Sequence, residues 1–266
     1  MKSDDALGAP STPFSSRTRA QALKRFQEET FDLLIVGGGI TGAAVARDAA
    51  LRGLKVALVE RRDFAFGTSS RSSKLIHGGL RYLEKFELGL VFEALKERAL
   101  LLKTMPTLVR PLKFFFPVYT GDRTGKVLLG MGMWLYDVLS LFRAPGFHSS
   151  LSKRALLKEV PGLQAEGLKG GYTYFDASMW DDVLAIEVLR SAQQEGAAVA
   201  SYVEAIEPLW KDLESGKRRM VGFKVRDREP EVLGGSPAAE FSLEARQVVL
   251  CLGPYTDLIG PKLAKD

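Results

Sequence analysis

Residues 69–84 read SSRSSKLIHGGLRYLE: serine hydroxyls, Lys74, His77, a Gly-Gly pair, then Arg81 and Tyr82. Hydroxyls and backbone N–H groups hydrogen-bond phosphate and sugar oxygens, paired glycines bare the backbone to a flat ring, and a guanidinium grips phosphate through two parallel hydrogen bonds. Upstream, Gly37, Gly39 and Gly42 stand in the spacing G-x-G-x-x-G, with Gly38, Ile40 and Thr41 between them. In that pattern the first glycine permits a tight turn and the second lets the backbone approach a pyrophosphate. The third lets a helix pack closely on its sheet, with the phosphates at the helix N-terminus. Glu60 follows at about the twenty-residue interval expected of a carboxylate that holds the adenosine ribose hydroxyls and disfavours a 2′-phosphate. The chemistry these groups suit is dinucleotide binding.

Such groups need a strand, turn, helix and strand in register, and FDLLIVGGGITGAAVARDAALRGLKVALVE supplies them. Residues 33–36 are a continuous apolar run suited to a strand buried on both faces, 40–52 have helical spacing with alanines on the packing side, and 56–59 make a second buried strand. A mixed-charge helix over 17–29 precedes this unit, after a tail rich in Ser, Pro and Ala. Beyond it, the spacing predicts a helix over 88–103 with Leu90, Ala94, Leu95, Ala99 and Leu102 as its apolar positions. LKFFFPVYTG reads as a strand with Pro117 near its end. The apolar stretch 127–142 is interrupted by Asp137 and reads as a buried or interfacial helix. An amphipathic helix over 181–195, closed by Gly196, leads to a strand over 198–206 and to alternating segments at 220–225 and 241–245. A buried strand at 248–252, a Gly-Pro turn and a helix start complete the chain. The fold class expected is α/β: a Rossmann-like dinucleotide domain from 31–106 and 174–266, with an inserted substrate or cap segment at 107–173 and a tail at 1–30.

The 266 residues are 46% hydrophobic and 26% charged, the composition of a globular protein with a real core. A net charge of +5 suits an anionic small molecule, an acidic membrane surface or nucleic acid without deciding among them. One cysteine excludes an internal disulfide framework, and two histidines beside it leave no zinc cluster, so no metal is expected. No apolar run reaches the length that spans a bilayer, and the first sixteen residues lack the apolar core of a secretory signal.

NAD and FAD share this half of a Rossmann fold. After Glu60 the chain continues RRDFAFGTSSRSSKLIHGGLRYLE, too polar and glycine-rich to be the next crossover helix in full. A segment of that kind suits pyrophosphate and ribityl oxygens and a flat ring, which points to a flavin. At these residues the sequence resembles the FAD-dependent glycerol-3-phosphate dehydrogenases of the D-amino-acid-oxidase-like flavoprotein group. TSSRSSKLIHGGLRYLE is the most specific part, and the likeness runs through EALKER, LVRPLKFFFPVY, WLYDVL and YFDASMWDD over residues 31–259.

The resemblance implies FAD as cofactor and oxidation of sn-glycerol 3-phosphate to dihydroxyacetone phosphate by hydride transfer to the flavin, with electrons passing to quinone. By matching positions, Gly37, Gly38, Gly39, Ile40, Thr41, Gly42, Glu60, Arg61, Thr68, Ser69, Ser70, Ser73, Lys74, His77, Gly78, Gly79 and Leu80 would line the cofactor. Val203 would meet the adenine through its backbone, Gly253 belongs to a second flavin turn, and Arg81 and Tyr82 would face the substrate. The residues alone leave Arg81 open to a plain ion pair with Glu84, and His77 open to cofactor contact, base catalysis or a loop role. The implied setting is the cytoplasm, with peripheral attachment to the inner membrane and a homodimer both compatible and no nucleic-acid partner. Two positions depart from the family. The second flavin turn reads Cys-Leu-Gly-Pro-Tyr, without the usual threonine hydroxyl, and Phe66 replaces a small residue. Family members also continue well beyond this turn, so the chain is expected to be their N-terminal part, its own turnover open. Two alternatives stand beside this reading: an FAD-dependent oxidoreductase of another small hydroxy or amino acid, and a non-catalytic FAD-binding fragment.

Overall fold

Two crossing points divide the chain. It leaves one compact unit at Ser72, forms a second over Ser73–Trp180, and returns to the first at Asp181. The computed structural model describes residues 14–83, 85–141, 143–235, 238, 240–257 and 260, so residues 1–13 of the tail expected at 1–30 lie outside the described residues. In chain order the elements are α1 (Ser16–Glu28), β1 (Phe31–Val36), α2 (Ile40–Leu51), β2 (Val56–Val59), β3 (Leu75–Ile76), α3 (Leu80–Leu83), α4 (Leu88–Thr104), β4 (Val109–Tyr119), α5 (Lys126–Leu139), β5 (Ser149–Leu151), α6 (Lys153–Glu159), β6 (Leu168–Met179), α7 (Asp181–Gln194), β7 (Ala198–Ala200), β8 (Val203–Asp212), β9 (Arg218–Asp227), α8 (Glu229–Val232) and β10 (Glu240–Leu250).

The first unit is built on a six-stranded sheet ordered β7-β2-β1-β10-β9-β8. The strands from β7 to β10 run parallel, and β9 and β8 extend the sheet antiparallel. Burial on both faces explains the unbroken apolar runs of β1 and β2. On one face Phe26 of α1 meets Phe31 edge-on at 6.0 Å and joins Leu34, Val59, Phe223 and Leu243 in a core. On the other, Ala43, Ala46 and Ala50 of α2 pack with Ile35, Leu58 and Leu189. Alanines let α2 lie close to the sheet, and each large apolar side chain so buried contributes about 1.5–3 kcal/mol.

Two strands differ from their expected form. The strand expected over 198–206 is two: Tyr202 sits at φ 57°, in the left-handed region, and breaks the run between β7, which pairs with β2, and β8, which pairs with β9. Conversely, the alternation at 241–245 and the run at 248–252 belong to one strand. β10 pairs with β9 through residues 240–244 and with β1 from Ala245 onward. Its apolar end is half-buried rather than buried.

In the second unit, β4 pairs with β6 in one register from Val109↔Met179 to Val118↔Gly170, with a shift before Tyr119↔Leu168, while β3 and β5 also pair with β6. This second unit is an antiparallel sheet with its own helices over Ser73–Trp180, where the inserted segment was expected over 107–173. Strand β6 crosses residue 173 and takes β3 and β4 as partners, so 73–106 folds with this unit. Pro111 and Pro117 are accommodated because β4 is an edge strand that pairs only with β6 among the described residues. Helix α4 buries Val91, Leu95 and Arg98, not the face through Leu90 and Ala94, and Leu90 is exposed. Helix α5 buries Leu129, Met133, Tyr136 and Asp137; Asp137 is paired with His148 at 2.6 Å. The interruption in the apolar run is thus a buried carboxylate in contact with a histidine ring, and the opposite face of α5 is exposed.

Candidate active site

The turn joining β1 to α2 has room for backbone only. A Cβ on Gly37, at φ +117°, would lie 2.3 Å from Cys251 O, and one on Gly42 would lie 1.9 Å from Gly37 O. Gly37 N–H donates to Val59 O at 2.9 Å, which anchors the turn to β2. Gly39 is the N-cap of α2 and brings no side chain to it. A helix N-terminus leaves N–H groups without intrahelical partners. Ser69, in a single helical turn over Thr68–Ser70, reaches that end, and its Oγ accepts from Ile40 N–H at 2.9 Å. Ile40 and Thr41 are exposed there.

Glu60 closes the turn from the end of β2. Its Oε2 accepts from Gly38 N–H and its Oε1 from Arg62 N–H, both at 2.8 Å. Each carboxylate oxygen keeps a further lone pair, so an oriented anion faces outward from the strand ends, as a ribose diol requires. Arg61 is held by Glu204 at 3.0 Å. Val203 N–H donates to the Glu60 main-chain carbonyl at 2.7 Å, which ties the start of β8 to the end of β2. A cavity of about 360 Å³ is lined by Arg61, Arg62, Asp63, Phe66, Tyr202, Arg228 and Val232; neither Glu60 nor the glycine turn is among its lining residues. Phe66 lies between the guanidinium groups of Arg62 and Arg71, each 4.4 Å from its ring centroid. That stacking gives the unusual phenylalanine a place at the loop edge. Gly253, at φ +54°, heads the turn after β10. Cys251, two residues before it, walls the first turn, and burial pushes its thiol pKa up.

The first unit contains Gly37, Gly38, Gly39, Ile40, Thr41, Gly42, Glu60, Arg61, Thr68, Ser69, Ser70, Val203 and Gly253, in the segments that follow β1, β2 and β10 and at the start of β8. Ser73, Lys74, His77, Gly78, Gly79, Leu80, Arg81 and Tyr82 belong to the second unit. Lys74 has φ 58°, and His77 is exposed just after β3. Gly78 and Gly79 are buried by their own unit: a Cβ on Gly78 would lie 2.2 Å from Leu95 Cδ2, and one on Gly79 would lie 2.4 Å from the Tyr82 ring. Internal packing thus gives these glycines a requirement beyond any ring laid against them. Leu80 is half-buried against the cluster of Val91, Leu95 and Tyr136. Arg81 falls within α3, and Tyr82 is 38% exposed.

Beneath that loop lies a buried group that periodicity did not single out, formed by Arg98, Tyr136 and Asp176. Its signal in the sequence was a charged residue in phase with Val91 and Leu95 on α4, and an aspartate inside the aromatic strand TYFDASM. Burial first, and then the Asp176 carboxylate, raise the Tyr136 pKa far above the ordinary tyrosine value and push that of Tyr174 up to about 12.

A parallel sheet whose strand ends carry a glycine turn, a helix N-terminus and a fixed carboxylate defines a dinucleotide-binding protein, here with a second, antiparallel unit. Residues 32–266 match the family described as FAD dependent oxidoreductase, and the chain belongs to it. It is 41% identical over 249 residues to an alpha-glycerophosphate oxidase of Streptococcus pyogenes, a match that covers 92% of this chain and 39% of the relative. It is 38% identical over 244 residues to an aerobic glycerol-3-phosphate dehydrogenase of Staphylococcus aureus, with 91% of this chain and 42% of the relative covered. The solved structure of a glycerol-3-phosphate dehydrogenase from Bacillus halodurans complexed with FAD superposes with a TM-score of 0.70 at 28% identity, covering 94% of this chain and 40% of that one. The chain thus spans about two-fifths of the length of these relatives.

Proposed function

We propose that this chain carries the cofactor-binding part of an FAD-dependent enzyme that oxidises C2 of sn-glycerol 3-phosphate to dihydroxyacetone phosphate. What carries the reading is one arrangement: a bare Gly37–Gly39 turn beside a Glu60 carboxylate fixed by two backbone N–H groups, at 2.8 Å each, in a chain similar over 92% of its length to a glycerophosphate oxidase. FAD, held by these residues, would supply the hydride acceptor for C2. The chain's own residues bind and orient. Glu60 takes the ribose hydroxyls, and the first turn of α2 with Ser69 and Ser70 takes the pyrophosphate. To Lys74, His77, Gly78 and Gly79 we assign the ring end of the cofactor. Arg81 is assigned to the substrate phosphate, because a planar guanidinium binds a phosphate through two parallel hydrogen bonds, with Tyr82 beside it in sequence.

The electron acceptor in this reading is a quinone reached from the cytoplasmic face of a membrane. No helix among the described residues is long and apolar enough to cross one. The support for surface attachment is the outer face of α5, where Val127, Met131 and Trp134 are 81%, 60% and 62% exposed, with Arg123 and Arg143 exposed at either end.

The test is spectroscopic and kinetic. Purified protein shows flavin absorption that bleaches with glycerol 3-phosphate and not with glycerol, and a dye couples the reaction. Arg81→Ala raises KM for the phosphorylated substrate at least tenfold while flavin content stays the same. Unchanged kinetics in that variant would remove Arg81 from the role, and bleaching by another hydroxy or amino acid instead would replace the substrate.

A further inference from the structure

One carboxylate oxygen of the second unit collects three donors. Asp176 Oδ1 accepts from Tyr136 Oη at 2.7 Å, from Gly78 N–H at 3.2 Å and from Arg98 Nη1. Gly78 N–H also reaches Tyr136 Oη at 2.9 Å, and Arg98 Nη1 donates to Phe175 O at 2.9 Å, which ties the guanidinium to β6. Arg98, Tyr136 and Asp176 are 0%, 2% and 2% exposed. Apolar residues of similar volume would fill this space at no desolvation cost, so packing alone does not require an ion pair and a tyrosine here. What they converge on is a single main-chain amide, that of Gly78, in the loop 77–79. Leu95 and Tyr136 press so closely beneath it that the loop cannot settle inward.

We propose that Tyr136 and Asp176 are positioning residues for the loop 77–79. They hold the Gly78 amide from inside the unit and fix the backbone on which His77 and Gly79 are presented to the ring of the cofactor, and Arg98 orients the Asp176 carboxylate. The inference rests on the FAD reading above and adds residues that touch neither cofactor nor substrate. A buried hydrogen-bond network restricts its members to one geometry, which is what a loop that must meet a rigid planar ring needs.

The experiment compares Tyr136→Phe, which keeps the ring and deletes the hydroxyl, and Asp176→Asn, which keeps the shape and deletes the charge. Leu156→Ala, which hollows the same unit at a fully buried site on α6, serves as a control. In flavin-free protein, hydrogen exchange at the Gly78 amide accelerates about tenfold in Tyr136→Phe, the effect of losing one neutral hydrogen bond, and more in Asp176→Asn. In flavin-loaded protein both variants shift the visible flavin bands and weaken FAD binding by about tenfold or more. Leu156→Ala lowers the melting temperature without either change. If the two network variants behave like Leu156→Ala while the unsubstituted protein retains its flavin, the positioning role is overturned and the cofactor reading stands. If the unsubstituted protein takes up no flavin, the cofactor reading falls and the proposal falls with it.

Discussion

Glu60 shows how one side chain serves structure and chemistry together. Its two oxygens each take a backbone N–H, from Gly38 and from Arg62, so the same carboxylate that would meet a ribose also pins the glycine turn to the end of β2. In Glu60→Gln one of those N–H groups faces an NH₂ instead of an acceptor. An unsatisfied donor of this kind costs about 1–3 kcal/mol, with the lower end applying at a half-buried position such as this. Glu60→Gln is therefore expected to lower the thermal stability of flavin-free protein as well as its FAD affinity. An affinity loss without any shift in the flavin-free melting curve would separate the two roles and contradict this geometry. The fingerprint glycines were legible because their spacing encodes backbone approach, and the structure shows what enforces it at Gly37 and Gly42. Gly78 was legible as a glycine, but its reason was not. The atoms that exclude a side chain there belong to Leu95 and Tyr136, distant in sequence, and nothing local announces them.

Among the elements, two helices of the second unit teach opposite lessons about periodicity. On α4, charged Arg98 repeats in phase with Val91 and Leu95, and counting apolar residues alone selected a neighbouring stripe instead. The buried face was set by an ion pair to Asp176, and that partner lies far along the chain. On α5 the apolar residues exceed what one buried face can use. Leu129, Met133 and Tyr136 fill the interior, while Val127, Leu128, Met131, Trp134 and Val138 remain exposed. Scattered exposed hydrophobics need no explanation, but a contiguous helical face with a tryptophan and flanking arginines fits a lipid interface. The double variant Met131→Glu/Trp134→Glu is expected to abolish co-sedimentation with vesicles containing anionic lipid and to leave the melting temperature within a degree or two. Surface substitutions away from structural features usually change stability by about 0.5 kcal/mol or less. Equal sedimentation of the variant and the unsubstituted protein would assign the face to another role.

At the level of the whole molecule, the parallel sheet was readable because strands buried on both faces write themselves as apolar runs, whereas the partition into units was not, because it depends on which strands pair. β6 recruits β3 from before α4, and Ser72 Oγ bonds the buried Asp181 at 2.6 Å where the chain leaves and rejoins the first unit. The two tyrosines with raised pKa values, Tyr136 and Tyr174, both lie in the second unit. Their folded forms stay protonated at pH values where unfolded tyrosine, with a pKa of about 10, has already released its proton. The unfolded state then binds fewer protons than the folded one, so stability is fully present below about pH 10 and falls as pH rises. For Tyr174 the fall continues through its folded value of about 12, and for the buried Tyr136 it continues higher still. Denaturant unfolding at pH 8, 10 and 11 is expected to show a falling midpoint, reported by a probe in the second unit. Tyr174→Phe removes one releasable proton and flattens that dependence while leaving stability at pH 8 close to its starting value. A variant whose midpoint falls as steeply as that of the unsubstituted protein would show that Tyr174 titrates normally and that the alkaline limit of the second unit lies elsewhere.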